Sequence, residues 1–170
     1  MESPNKKSIL LIGETGTGKS SFGNFLLPRP KFEVSTNGPC TAETEIGRFR
    51  TEDQRTTIEV IDTPGLSDQT EEEARQLIEH IKGLKNNENF CLVLLILDFE
   101  DSEITVSKPV LDMIKFLSQT FPVDLEYHFG IVFTKYLHFD ERNKGQQDKR
   151  KPKRDVYIPQ IMKIISTETK

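Results

Sequence analysis

One eight-residue loop constrains this chain more than anything else in it: Gly13-Glu14-Thr15-Gly16-Thr17-Gly18-Lys19-Ser20, with the spacing G-x-x-x-x-G-K-[ST]. Each fixed residue type has a physical task. The glycines let the backbone turn tightly, so that successive N–H groups point inward and form a concave anion site, reinforced by the dipole of the helix that starts near Ser20. Lys19 adds a full positive charge suited to the β- and γ-phosphates of a nucleotide. The Ser20 hydroxyl suits Mg²⁺, a hard ion that prefers oxygen and takes few protein ligands beside phosphates and water. Ser21 follows as a further candidate phosphate contact. The competing reading is a glycine-rich turn with a solvated lysine. Context favours the phosphate loop, because a short apolar strand, Ile9 to Ile12, precedes it and a helical pattern follows it.

The same alternation continues along the chain. Phe22, Phe25, Leu26 and Leu27 form the apolar positions of the first helix, which Pro28 and Pro30 stop. After a loop over 28–41, strands are expected at about 43–49 and 57–61, joined as a hairpin. Residues 71–85 place acids first and Ile78, Ile81 and Leu84 at helical spacing. A central strand over 91–97, a helix over about 106–117, a strand over 127–133 and a last helix carrying Ile158, Ile161, Ile164 and Ile165 complete the pattern. Strands alternating with helices predict an α/β fold in three layers: a mostly parallel central sheet with one antiparallel edge strand and helices on both faces. The length of 170 residues and 35% hydrophobic content fit one domain over 1–170.

Composition narrows the partners. A net charge of −4 argues against wholesale affinity for nucleic acid, and the cluster from Lys144 to Arg154 reads as a solvated loop. Only two cysteines, Cys40 and Cys91, lie far apart, which suits a reducing, cytoplasmic setting. No apolar run reaches the roughly 20 residues of a membrane helix. His80 and His128 show no metal-ligand spacing.

A second phosphate motif, Asp62-Thr63-Pro64-Gly65, ends the second hairpin strand. That strand is expected beside the first one, so the Asp62 carboxylate reaches the same sheet edge as Ser20 and holds Mg²⁺ through water. The Gly65 N–H is placed to sense a γ-phosphate that hydrolysis removes. With LLIGETGTGKSSFGNFLL, FEVSTNGPCTAETEIG, IDTPGLSD and the late FTK in view, the chain resembles the immunity-associated GTPases called GIMAP proteins and their plant relatives named after avirulence-induced genes. The resemblance implies a GTPase G domain of the P-loop NTPase fold that binds GTP or GDP with Mg²⁺. It also implies that Thr41 is the switch threonine meeting Mg²⁺ and the γ-phosphate, although Ser35, Thr36 and Thr44 share that neighbourhood. A G domain of this kind has one more strand and helix than the residues up to Lys170 supply, so the chain is expected to be truncated.

Two positions depart from the usual pattern. The base-reading segment, Asn/Thr-Lys-x-Asp in GTPases, is here Thr134-Lys135-Tyr136-Leu137, so Thr134 and Lys135 remain base-site candidates while Leu137 cannot accept hydrogen bonds from guanine and Asp140 is the candidate substitute. Leu66 stands where small GTPases carry a water-orienting glutamine. Unaided GTP hydrolysis is therefore expected to be slow, with Lys19, Thr41 and Gly65 as the catalytic set. The resemblance implies help from a second copy through the nucleotide face and switch regions, and membrane association only through segments absent from this chain. No arginine follows the strand over 91–97; Arg48, Arg50 and Arg55 are candidates to act in trans only in being nearby, and solvated surface charge is the favoured reading for them. Two other readings stand beside the enzyme: a nucleotide-gated oligomerisation module with negligible hydrolysis, and an ATPase.

Overall fold

The computed structural model describes residues 5–34, 43–67, 69–86, 90–98, 107–120 and 128–135, together with positions 159, 163 and 166. Thr41, Ser35, Thr36, Leu137, Asp140 and the basic cluster from Lys144 to Arg154 lie outside these residues.

The chain runs β1 (Asn5–Ile12), α1 (Lys19–Leu26), β2 (Glu45–Arg50), β3 (Thr56–Asp62), α2 (Glu71–Asn86), β4 (Phe90–Asp98), α3 (Lys108–Thr120) and β5 (Phe129–Thr134). These strands form one sheet in the order β2-β3-β1-β4-β5. Every pairing is parallel except β2 with β3, the expected antiparallel edge. Leu10, Leu11 and Ile12 are wholly buried, as a continuous apolar run in the middle of a covered sheet must be. β1 is longer than its apolar run, because Asn5 to Lys7 pair with Thr56 to Ile58 while keeping partly exposed side chains.

Helices cover both faces. On one, Leu77 and Ile81 of α2 and Val110, Met113, Ile114 and Leu117 of α3 pack over Leu10, Ile12, Ile61 and Leu95. On the other, Leu11, Val60, Leu94 and Ile96 meet Leu27 and Phe32. Of the apolar positions expected on α1, Phe22, Leu26 and the following Leu27 pack on this cluster, but Phe25 is 80% exposed, and Gly23 faces the sheet close against the Phe32 ring. Asn24 holds that contact by donating from Nδ2 to the Phe32 carbonyl and accepting from the Lys31 and Phe32 amides, each at 2.8 Å.

α2 starts with a capping box. The Glu73 amide donates to Thr70 Oγ1 (3.3 Å), and the Thr70 amide donates back to the Glu73 carboxylate (2.6 Å), holding that carboxyl below its usual range. α3 begins two residues later than the spacing predicts, because Ser107 acts as its cap: its carbonyl accepts from the Leu111 amide and its hydroxyl from the Val110 amide. Positions 159, 163 and 166 of the expected last helix are helical and exposed.

Candidate phosphate-binding site

β1 has β3 on one side and β4 on the other, so the loop after it opens at the point where the chain's direction of winding reverses. Gly13, Gly16 and Gly18 have φ of 152°, 77° and 90°, conformations that favour glycine. Gly18 is also the N-cap of α1. No side chain caps that helix and no acid lies in its first turn, which leaves its leading amides directed into the loop.

Lys19 is buried, and its ammonium spans the loop by donating to the Gly13 and Glu14 carbonyls at 3.2 and 2.8 Å. Thr17 closes the turn from the other side, its hydroxyl donating to Glu14 O at 2.9 Å. The Glu14 carboxylate leaves the loop sideways and accepts from the Ser107 hydroxyl at the start of α3. Ser21 lies exposed in the first turn of α1.

Ser20 and Asp62, expected at the same sheet edge, are in contact: the hydroxyl donates to Oδ2 at 2.6 Å, and Asp62 is fully buried. Both offer oxygen, the donor type a hard divalent ion prefers. The next residue, Thr63, is equally buried and ties the turn to β1 through a 2.7 Å bond from its hydroxyl to Leu11 O. Gly65 then lies against Thr15; a Cβ there would stand 1.8 Å from Thr15 Oγ1 and 2.6 Å from Thr15 N. Leu66 donates its amide to Gly13 O (3.2 Å) and turns its side chain into the core, only 8% exposed.

β5 closes the site. Thr134 Oγ1 sits between the carbonyls of Thr17 and Leu97, the latter at 3.1 Å, and its side chain packs on Gly18. Lys135, at φ 53°, pairs with Asp98 at the end of β4 (2.6 Å).

A model of the AIG1 family matches residues 7–164. The chain belongs to that family. Among its relatives, GTPase IMAP family member 8 of Rattus norvegicus is 30% identical over 132 residues, covering 75% of this chain and 19% of the relative. Immune-associated nucleotide-binding protein 4 of Arabidopsis thaliana is 40% identical over 70 residues, which cover 36% of this chain and 19% of that protein. The chain thus spans about a fifth of the length of these two relatives. Toc33 of Arabidopsis thaliana has the same fold, with a TM-score of 0.65 at 24% identity over 97% of this chain and 64% of the Toc33 chain.

For this AIG1-family chain the structure brings together Gly13 to Ser20, Asp62, Gly65 and Thr134, and sets Lys135 beside them. Three participants escaped the sequence reading. Asp98 and Ser107 are ordinary polar residues at element ends, and Thr63 was read only as part of a turn. The signal available for Thr63 was its hydroxyl directly after a buried strand, a place where polar side chains need a main-chain partner. Of the nearby arginines, Arg48 is engaged by Glu59 of β3 at 2.6 Å.

Proposed function

We propose that this chain is a G domain that binds GTP and GDP with Mg²⁺ and hydrolyses GTP slowly, with assistance from a second copy. The observation that carries the reading is the Ser20–Asp62 contact, which joins two motifs 42 residues apart beside a buried lysine and an uncapped helix start. Solved structures of the fold relative Toc33 hold GDP with Mg²⁺, or GMPPNP with Mg²⁺. Guanine is preferred on family grounds.

In this reading the loop amides and Lys19 stabilise charge on the β- and γ-phosphate oxygens as water attacks in line with the departing diphosphate. The Gly65 amide reports whether the γ-phosphate is present. Ser20 and Asp62, with Thr41 as the family resemblance implies, would hold Mg²⁺, which would supply further charge neutralisation at the phosphates. Lys135, paired with Asp98 at the end of β4, is the candidate base contact.

Leu66 decides the rate. An apolar side chain packed in the core cannot orient water. That observation equally favours the second reading, a nucleotide-gated assembly module with negligible hydrolysis. For Toc33 and Toc159, dimerisation is important for GTPase activity. Two measurements test the proposal: identification of the nucleotide that copurifies with the chain, and single-turnover GTP hydrolysis across protein concentration. Guanine nucleotide and a rate per molecule that rises with concentration are expected. No phosphate release at any concentration leaves the assembly module, and bound adenine nucleotide overturns the guanine reading.

A further inference from the structure

β4 and β5 end side by side, with Asp98 opposite Thr134 in the parallel register, and Lys135 is the next residue along the chain. Its main chain is unusual. At φ 53° it lies in the left-handed region, which a lysine adopts at a conformational cost; among the described residues Gln54, between β2 and β3, is the only other non-glycine there. Two anchors hold Lys135 in that state. Behind it, the Thr134 hydroxyl lodges against the Thr17 and Leu97 carbonyls, which ties the backbone to the phosphate loop. At the far end of its side chain, the ammonium pairs with Asp98 Oδ2 at 2.6 Å.

Stability does not account for this arrangement. The Lys135 side chain is 47% exposed, and an ion pair so open to water contributes little to folding. A strained backbone that its neighbours hold in place is a feature that clusters at ligand sites. With the main chain fixed at one end and the ammonium at the other, the four-carbon stem between them is left as a short apolar ledge beside the loop.

We infer that Asp98 is a positioning residue for the base of a bound nucleotide: it fastens the Lys135 ammonium at the end of β4, so that the apolar stem, not the charge, meets the ring. This step rests on the nucleotide reading above, in which Lys135 is the base contact. A stem fixed before the ligand arrives loses little rotamer freedom on binding, whereas an unfastened lysine has most of its freedom still to lose. Pairing with Asp98 also keeps the ammonium from being drawn to the phosphates, where Lys19 already supplies the charge.

The test is a double-mutant cycle of Asp98→Ala and Lys135→Met, the second keeping an unbranched apolar stem while removing the ammonium. GDP affinity is measured by calorimetry with Mg²⁺ for the wild type, both single variants and the double variant, each checked for an intact thermal melt. Asp98→Ala alone is expected to weaken GDP binding about fivefold, the scale of one long side chain left for the ligand to order. Added to Lys135→Met, the same substitution is expected to weaken it no further. An unchanged GDP affinity in Asp98→Ala overturns the inference. So does an equal loss with and without Lys135→Met, because Asp98 would then act independently of the lysine. If Asp98→Ala does not fold, either result in Asp98→Ser overturns it instead. Failure of the wild type to bind GDP is a distinct outcome, which removes the nucleotide reading itself and this inference with it.

Discussion

Ser107 and Glu14, 93 residues apart in sequence, join the start of α3 to the second residue of the phosphate loop. The contact holds a carboxylate outward from the proposed phosphate site, while the same hydroxyl serves the first turn of α3. Ser107→Ala removes both. A stability loss of about 1 kcal/mol is expected from the cap alone, read by chemical denaturation. Nucleotide affinity falls severalfold as well, because the released carboxylate competes for Lys19 at close range. Adding Glu14→Gln recovers the affinity but not the stability, which separates electrostatics from capping.

The Ser20 hydroxyl and Asp62 carboxylate make a second test. Ser20→Ala leaves the buried carboxylate short of one donor, at a cost of about 1–3 kcal/mol in the melt. If the pair also serves a divalent ion, the variant loses most of the difference between nucleotide affinity measured with Mg²⁺ and with EDTA. A full Mg²⁺ dependence in Ser20→Ala would contradict the assignment.

The legible parts of this chain are those where one physical requirement dominates a short window. Leu10 to Ile12 must be buried on two faces, and three glycines let the backbone turn sharply before Lys19, so β1 and the course of the loop after it were readable directly. The Ser20–Asp62 contact followed from adjacency of two strands. Residues serving two elements at once were harder. Thr134 was a base-site candidate from its motif, yet its hydroxyl supports the loop backbone at Thr17 and packs on Gly18, a relationship between β5 and β1's loop that no local pattern encodes. Phe25 looked like a core position by spacing, and lies outside because Gly23 brings Phe32 close to α1. Glu59, an acid in a strand, gave no sign of being 2% exposed until Lys6 and Arg48 were seen on either side of it.

Gly65→Ala tests the close packing of the turn after Asp62 on the loop at Thr15. A Cβ 1.8 Å from Thr15 Oγ1 cannot be accommodated without moving the turn, since Thr15 N and Cα lie within 2.7 Å of it as well. Overpacking of this kind costs about 1–3 kcal/mol. The melting temperature should therefore fall by several degrees, about 2–4 °C per kcal/mol for a domain of this size. GMPPNP affinity should drop by more than GDP affinity. Equal losses would place the turn outside triphosphate recognition.

Acid stability follows from a polar cluster under α2. Both oxygens of Glu59 are paired, with Lys6 of β1 at 2.9 Å and Arg48 of β2 at 2.6 Å, while His80 approaches from α2, near Glu79 and Gln76. Burial opposes the charge on Glu59, but the bonds and charges of Lys6 and Arg48 outweigh it and hold the carboxyl below its ordinary value of 4.5. Burial also holds the His80 imidazole below its ordinary 6.5; Glu59 pulls the other way and Lys6 adds to burial. Both shifts have the same sign, since in each case the unfolded chain takes up a proton more readily than the folded one. The His80 contribution is thus complete above about pH 6.5 and declines as pH falls below it, and the Glu59 contribution declines below about pH 4.5. Denaturation midpoints measured from pH 8 to about pH 2.5 should show two successive losses. His80→Gln, neutral throughout, should remove the first and keep the second, and a profile unchanged by this substitution would show that the imidazole does not titrate against folding.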